Sequence, residues 1–191
     1  MNAATDTPDT LADERNASDR YASTWFQVTI TNLYARRQII DTKAGLMITV
    51  NSIILSVLIG SLYPRLQEDP QLLWGLGPIV IADVLSIIFA VLATRPVIAK
   101  GKFSREDVQN KNACLNTFDD FYRMSEVDYQ WAVSEMLKDT QAIQNSYTKE
   151  NYRVGIDLAK RYKRMRISYH IFLTGLIMSV VGFAICYFFL F

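Results

Sequence analysis

Arg123, Trp131, Tyr152, Arg153 and Arg164 supply the two things a nucleotide needs from a protein. Guanidinium groups hold phosphate, and flat rings stack on a base. They are the candidate contacts for a nucleotide, in a polar part of the chain that also holds Arg105, Lys111, Tyr122 and Tyr147. This is a composition and not a motif. There is no Walker-type phosphate loop and no GxGxxG. HExxH, paired CxxC, GxSxG and carboxylate clusters at metal spacing are also missing. The single histidine, His170, excludes a His-rich metal site and leaves no basis for a His-based triad. Cys114 and Cys186 sit in different blocks without metal-ligand neighbours. The expectation is a chain that is no enzyme and uses no metal or cofactor.

A second kind of chemistry belongs to Asp83, the one charge in a long apolar segment. A carboxylate deep in a bilayer costs about 2.5–3.5 kcal/mol on insertion scales, so it faces protein or water. Three roles fit it: a pore or gate group, a buried hydrogen bond, or a reach to the outer interface. Asn51, on another apolar segment, is its nearest polar partner by depth. The two are the pore or gate candidates.

The elements that carry these residues follow from the segregation of apolar and charged blocks. Residues 1–20 are small, polar and acidic and read as a disordered tail. They have neither the basic start nor the apolar core of a signal peptide. Residues 21–43 have helical periodicity, with Tyr21, Trp25, Val28 and Thr29 on a face with Leu33 and Ile40. This cytoplasmic amphipathic helix either packs on the soluble part or lies on the membrane. Residues 44–63 and 72–94 are the first two transmembrane helices, separated at Pro64. Residues 169–191 carry no Lys, Arg, Asp or Glu and form the third. As a helix that segment is roughly 34 Å long, enough to cross the hydrocarbon core. The fold class is all-α: three transmembrane helices with a helical cytoplasmic domain between the second and third.

Lysines and arginines near the span ends set the orientation. Arg36, Arg37 and Lys43 precede the first span; Arg95, Lys100 and Lys102 follow the second. The run Lys160-Arg161-Tyr162-Lys163-Arg164-Met165-Arg166 precedes the third, and the loop between the first two offers only Arg65. The N-terminus is therefore expected in the cytoplasm and the C-terminus outside. The same basic run suits anionic headgroups or a phosphate. The net charge of +1 gives no case for nucleic-acid binding.

In the cytoplasmic domain, residues 95–168, one helix is expected from Ser104 to Phe118. Another starts at Ser125-Glu126-Val127-Asp128, a capping sequence, with Tyr129, Val133, Met136, Leu137, Thr140 and Ile143 at helical spacing. A last helix runs from about Thr148 into the third span, with Val154, Leu158, Tyr162 and Met165 as its apolar stripe. Small residues line each span: Gly45, Thr49, Ser52, Ser56 and Gly60; Ala82, Ser86 and Ala90, with Ala93 or Thr94; Gly175, Ser179, Gly182 and Cys186. Close packing over small residues drives association in lipid, either within one chain or between copies.

Two stretches resemble a known family. One is Ile40-Asp41-Thr42-Lys43-Ala44-Gly45, running into the first span. The other is Asn112 to Gly175, above all Tyr152 and Leu158-Ala159-Lys160-Arg161-Tyr162-Lys163-Arg164-Met165-Arg166 onward to Gly175. With two spans before the soluble block and one after, the chain resembles the small transmembrane effectors of the bacterial Pycsar antiphage system (PycTM). One step departs from the family pattern: Asn112 is followed by Ala113-Cys114-Leu115 where a Phe-Phe-Gly-like step is expected.

The resemblance implies a ligand, 3′,5′-cyclic UMP or cyclic CMP, made on infection by a partner uridylate or cytidylate cyclase. It implies disruption of the bacterial inner membrane, with abortive infection as the outcome. Related chains carry an HD hydrolase domain, which the lone His170 does not furnish. Driving a resting protein from 1:99 to 99:1 takes about 5.5 kcal/mol of differential binding. Coupled sites in a homo-oligomer would share it, so an oligomer is expected. The rival readings are a ligand-independent holin-like protein, an effector of another second messenger, and a membrane scaffold for a partner protein.

Overall fold

The computed structural model of the chain describes residues 8–62, 64–67, 69–96 and 101–189. Six α-helices follow one another: α1 (Pro8–Val57), α2 (Leu73–Thr94), α3 (Arg105–Gln109), α4 (Phe118–Phe121), α5 (Glu126–Met136) and α6 (Thr140–Phe189). There is no strand among the described residues. A π-turn (Leu58–Leu62) and two 3-10 turns (Pro64–Gln67 and Pro70–Leu72) join α1 to α2. Three helices are long and apolar enough to cross a membrane. Helices α1 and α6 each contribute to two compact units, one of residues 1–35 and 97–156, the other of residues 36–96 and 157–191.

The membrane unit is built on residues that recur at alternating three and four. On α1 the buried positions are Ile40, Ala44, Met47 and Asn51; on α6 they are Leu158, Arg161, Met165, Ser168, Gly175, Ser179 and Cys186. A seven-residue repeat keeps one seam turned toward the neighbouring helix along its length. Ala44, Met47, Ala90, Ala93 and Met165 form the apolar cluster at one end. Further along, α2 and α6 approach closely over small residues. A Cβ on Gly175 would overlap that of Ala82, and one on Gly182 would meet the Trp74 carbonyl. Ser86 and Ser168 exchange bonds across the same seam. The Ser168 hydroxyl donates to the Ser86 carbonyl at 2.8 Å, and the two hydroxyl oxygens lie 2.9 Å apart.

The stripes of small residues on α2 and α6 thus meet within one chain. The stripe on α1 does not. Gly45, Thr49, Ser52, Ser56 and Gly60 are exposed, and a Cβ at Gly45 or Gly60 would meet no atom within 4 Å. This contrast yields a prediction. Gly175→Leu should destabilise the folded chain by about 1–3 kcal/mol through overpacking. Gly45→Leu should leave its thermal midpoint in detergent unchanged. Equal midpoints for the two variants would contradict the packing described here.

The second unit is cored by Val108, Ala113, Leu115 and Ala132, with Phe103, Phe121, Tyr129 and Trp131 around them. Ser125 caps α5 as the sequence predicts, its hydroxyl accepting from the Asp128 amide at 3.1 Å. The helix expected over Ser104–Phe118 is shorter. It ends where the Asn112 amide donates back to the Asp107 carbonyl and Lys111 takes a positive φ of 57°, a Schellman-type stop. The chain then turns Ala113, Cys114 and Leu115 inward, all buried. The departure from the family pattern therefore falls in the core of this unit. The helical spacing expected through Ile143 also breaks, between α5 and α6.

At its N-terminus α1 is helical from Pro8, within the segment expected to be a disordered tail; residues 1–7 lie outside the described residues. Proline suits a first helical position, where its missing N–H has no intrahelical partner to lose. Tyr21, Trp25 and Val28 are exposed, so they are not the packing stripe. The contacts run through Phe26, stacked on Tyr147 at 5.7 Å, and Tyr34, whose hydroxyl donates to Glu150 at 3.2 Å.

Candidate functional site

The membrane unit is tied together by a residue that a stripe drawn from apolar residues passes over. The apolar stripe of α6 was expected to include Tyr162, which is 42% exposed; the inward position belongs to Arg161, which is 1% exposed. Its Nε donates to Asp157 at 2.7 Å. Its Nη1 donates to Asp41 at 3.2 Å and to the Ala93 carbonyl at 3.1 Å, and Nη2 to the Arg95 carbonyl at 3.2 Å. The carbonyls at the end of α2 have no partner in their own helix, and a cation there also suits the helix dipole. A planar fork reaches several such acceptors at once, whereas a tyrosine has one hydroxyl. Arg164 works beside it, donating to the Leu92 carbonyl at 2.9 Å.

Asn51 and Asp83 are both 0% exposed. Neither the Asn51 amide nor the Asp83 carboxylate has a hydrogen-bond partner among the described residues. The two side chains do not bond each other. Two buried polar groups left without partners are expensive in a dry interior.

The second unit places four of the five nucleotide candidates. Arg153 grips Asp120 with both arms of its guanidinium, Nη1 to Oδ1 at 2.5 Å and Nη2 to Oδ2 at 2.7 Å, and Nη2 also reaches the Thr117 hydroxyl at 2.9 Å. The hydrogen-bonded Asp120 carboxylate pushes the guanidinium's pKa above its ordinary range. Trp131 lies under Arg105, whose guanidinium carbon is 5.1 Å from the ring centroid. Arg123 lies over Tyr122 at 5.2 Å and donates its backbone N–H to the Gly101 carbonyl. Tyr152 is exposed. Arg164 belongs to the membrane unit.

The Pycsar effector protein domain family (PycTM) matches residues 24–188, which take in most of both units and of the three apolar helices. The chain belongs to the Pycsar effector family. It is a membrane protein with an antiphage effector role, set in cyclic-nucleotide signalling. No curated protein matches the chain, and no solved structure does. The two stretches that carry the family resemblance touch in this Pycsar effector: Asp41 stands in the first, Arg161 in the second, and the two form an ion pair. The signal that could have found Arg161 was its seven-residue register with Leu158, Met165 and Ser168.

Proposed function

We propose that this Pycsar effector binds cyclic UMP or cyclic CMP through its soluble unit and, in response, permeabilises the bacterial inner membrane. The observation that carries this reading is the unpartnered Asn51 and Asp83 in the membrane unit. Both groups would gain hydrogen bonds in any arrangement that admits water between the spans. A ligand that favours that arrangement then has less to supply. The soluble unit offers Arg123, Trp131, Tyr152 and Arg153 as ligand contacts, with Arg164 in the basic run. The N-terminus lies in the cytoplasm, where a uridylate or cytidylate cyclase releases the messenger, and the C-terminus in the periplasm. The outward small-residue face of α1 suits close approach of a second copy, so the working form is a homo-oligomer. Gly45→Leu should reduce crosslinked oligomer in membranes.

Dye leakage from liposomes holding the purified protein tests the reading across cyclic UMP, cyclic CMP, cyclic AMP and cyclic GMP. Leakage with a pyrimidine nucleotide alone is the expected result. Leakage with nothing added would indicate a ligand-independent holin. Silence throughout, with no binding by calorimetry, would favour a scaffold or another messenger. Asp83→Asn removes the charge while keeping the size. Triggered leakage should fall by about tenfold or more, equivalent to ~1.4 kcal/mol in the opening equilibrium. Unchanged leakage would make Asp83 a structural group.

A further inference from the structure

The basic run before the third span divides by face. Arg161 and Arg164 turn inward to the end of α2. Lys163 and Arg166 turn outward and, with Lys43 of α1 and His170, line a groove of about 780 Å³ on the membrane unit. Tyr162 and Tyr169 stand in the same lining. None of the four basic side chains makes an ion pair among the described residues, and all four are exposed. Cations from two helices thus line one groove. An anion is attracted to them.

We infer that this groove is a binding site for the phosphate of an anionic phospholipid. Three features favour that occupant. The groove lies where the charged stretches give way to the apolar ones: Lys43 adjoins the span that starts at Ala44, and Arg166 stands three residues before the one that starts at Tyr169. Headgroup phosphates sit at this level, and basic pockets between spans hold anionic headgroups. Tyr162 and Tyr169 are amphipathic rings of the kind found at the membrane interface. The volume falls within the roughly 300–1,000 Å³ usual for a small-ligand site. A lipid seated there would bridge α1 and α6 through its phosphate. The chemistry shared with a soluble ligand is the phosphate itself, so the test has to separate the two sources.

The protein is reconstituted in nanodiscs of mixed phosphatidylglycerol and phosphatidylcholine, extracted mildly, and its retained lipid measured by mass spectrometry. Wild type should retain phosphatidylglycerol several-fold above its bulk share. Lys163→Gln with Arg166→Gln should return it to the bulk ratio, and Lys163→Arg with Arg166→Lys should keep the enrichment. Lys160→Gln, an exposed cation outside the groove, should have no effect. Loss with Lys160→Gln as large as with the double variant would reduce the effect to general surface charge and overturn the site. Enrichment that survives the double variant would overturn it too. Release of phosphatidylglycerol from wild type by cyclic UMP or by inorganic phosphate would assign the groove to a soluble phosphate and overturn the lipid. Should the double variant fail to insert, the single substitutions are read in its place, each expected to lose part of the enrichment.

Discussion

Arg161→Ala is expected to destabilise the membrane unit more than any other single substitution. It removes four hydrogen bonds at once and leaves the Asp157 and Asp41 carboxylates and the Ala93 and Arg95 carbonyls without them. Removing one partner from a buried ionic network costs about 3–5 kcal/mol. For a chain of this size that corresponds to a fall in thermal midpoint of roughly 10 °C. Arg161→Lys should recover only part of the loss, because an ammonium cannot serve two carbonyls and two carboxylates in one plane. Asp41→Asn should cost about 1 kcal/mol or less, since the Asp41 side chain is partly exposed and screened. Melting of the purified protein in detergent orders the three variants. A midpoint for Arg161→Ala equal to that of wild type would contradict the network described here.

Arg153→Ala carries the second-largest expected effect, and it bears on ligand binding as well as on stability. Asp120 is buried, so deleting the guanidinium leaves a carboxylate inside the second unit with only the Thr117 hydroxyl. Leaving such a group unpaired costs about 2–4 kcal/mol, toward the lower end because Arg153 itself is partly exposed. Asp120→Ala should cost less, because the exposed arginine can turn to water. The asymmetry separates a structural from a ligand-binding arginine. If Arg153 holds the nucleotide phosphate, Asp120→Ala should keep or strengthen binding while Arg153→Ala abolishes it. If Arg153 only braces the fold, the two variants should lose binding in proportion to their loss of stability. Calorimetry with cyclic UMP and cyclic CMP on both variants distinguishes these outcomes.

Much of this protein follows from its sequence by rules that need no neighbour. Span length, the break at Pro64 and the Ser125 cap depend on chain geometry and on contacts a few residues apart, so they can be read along a single strand of text. The all-α class follows from them, and the family follows from the order of two short stretches around the spans. The start of α1 at Pro8 and the stop at Lys111 were not legible. Acidic composition does not fix backbone conformation, and a positive φ on a lysine is a local compromise made to bury Ala113 to Leu115. Only the tertiary structure decided which face of each helix turns inward. Tyr162 and Arg161 are adjacent, both fit a helical spacing, and apolar character favours the ring. The acceptors at the end of α2 favour the guanidinium, and they are nearly 70 positions away (161 against 93). The same holds for the small-residue stripes, alike in composition. Those on α2 and α6 are consumed by each other, and the one on α1 is left facing outward, because partner choice depends on distances between helices that no single helix encodes.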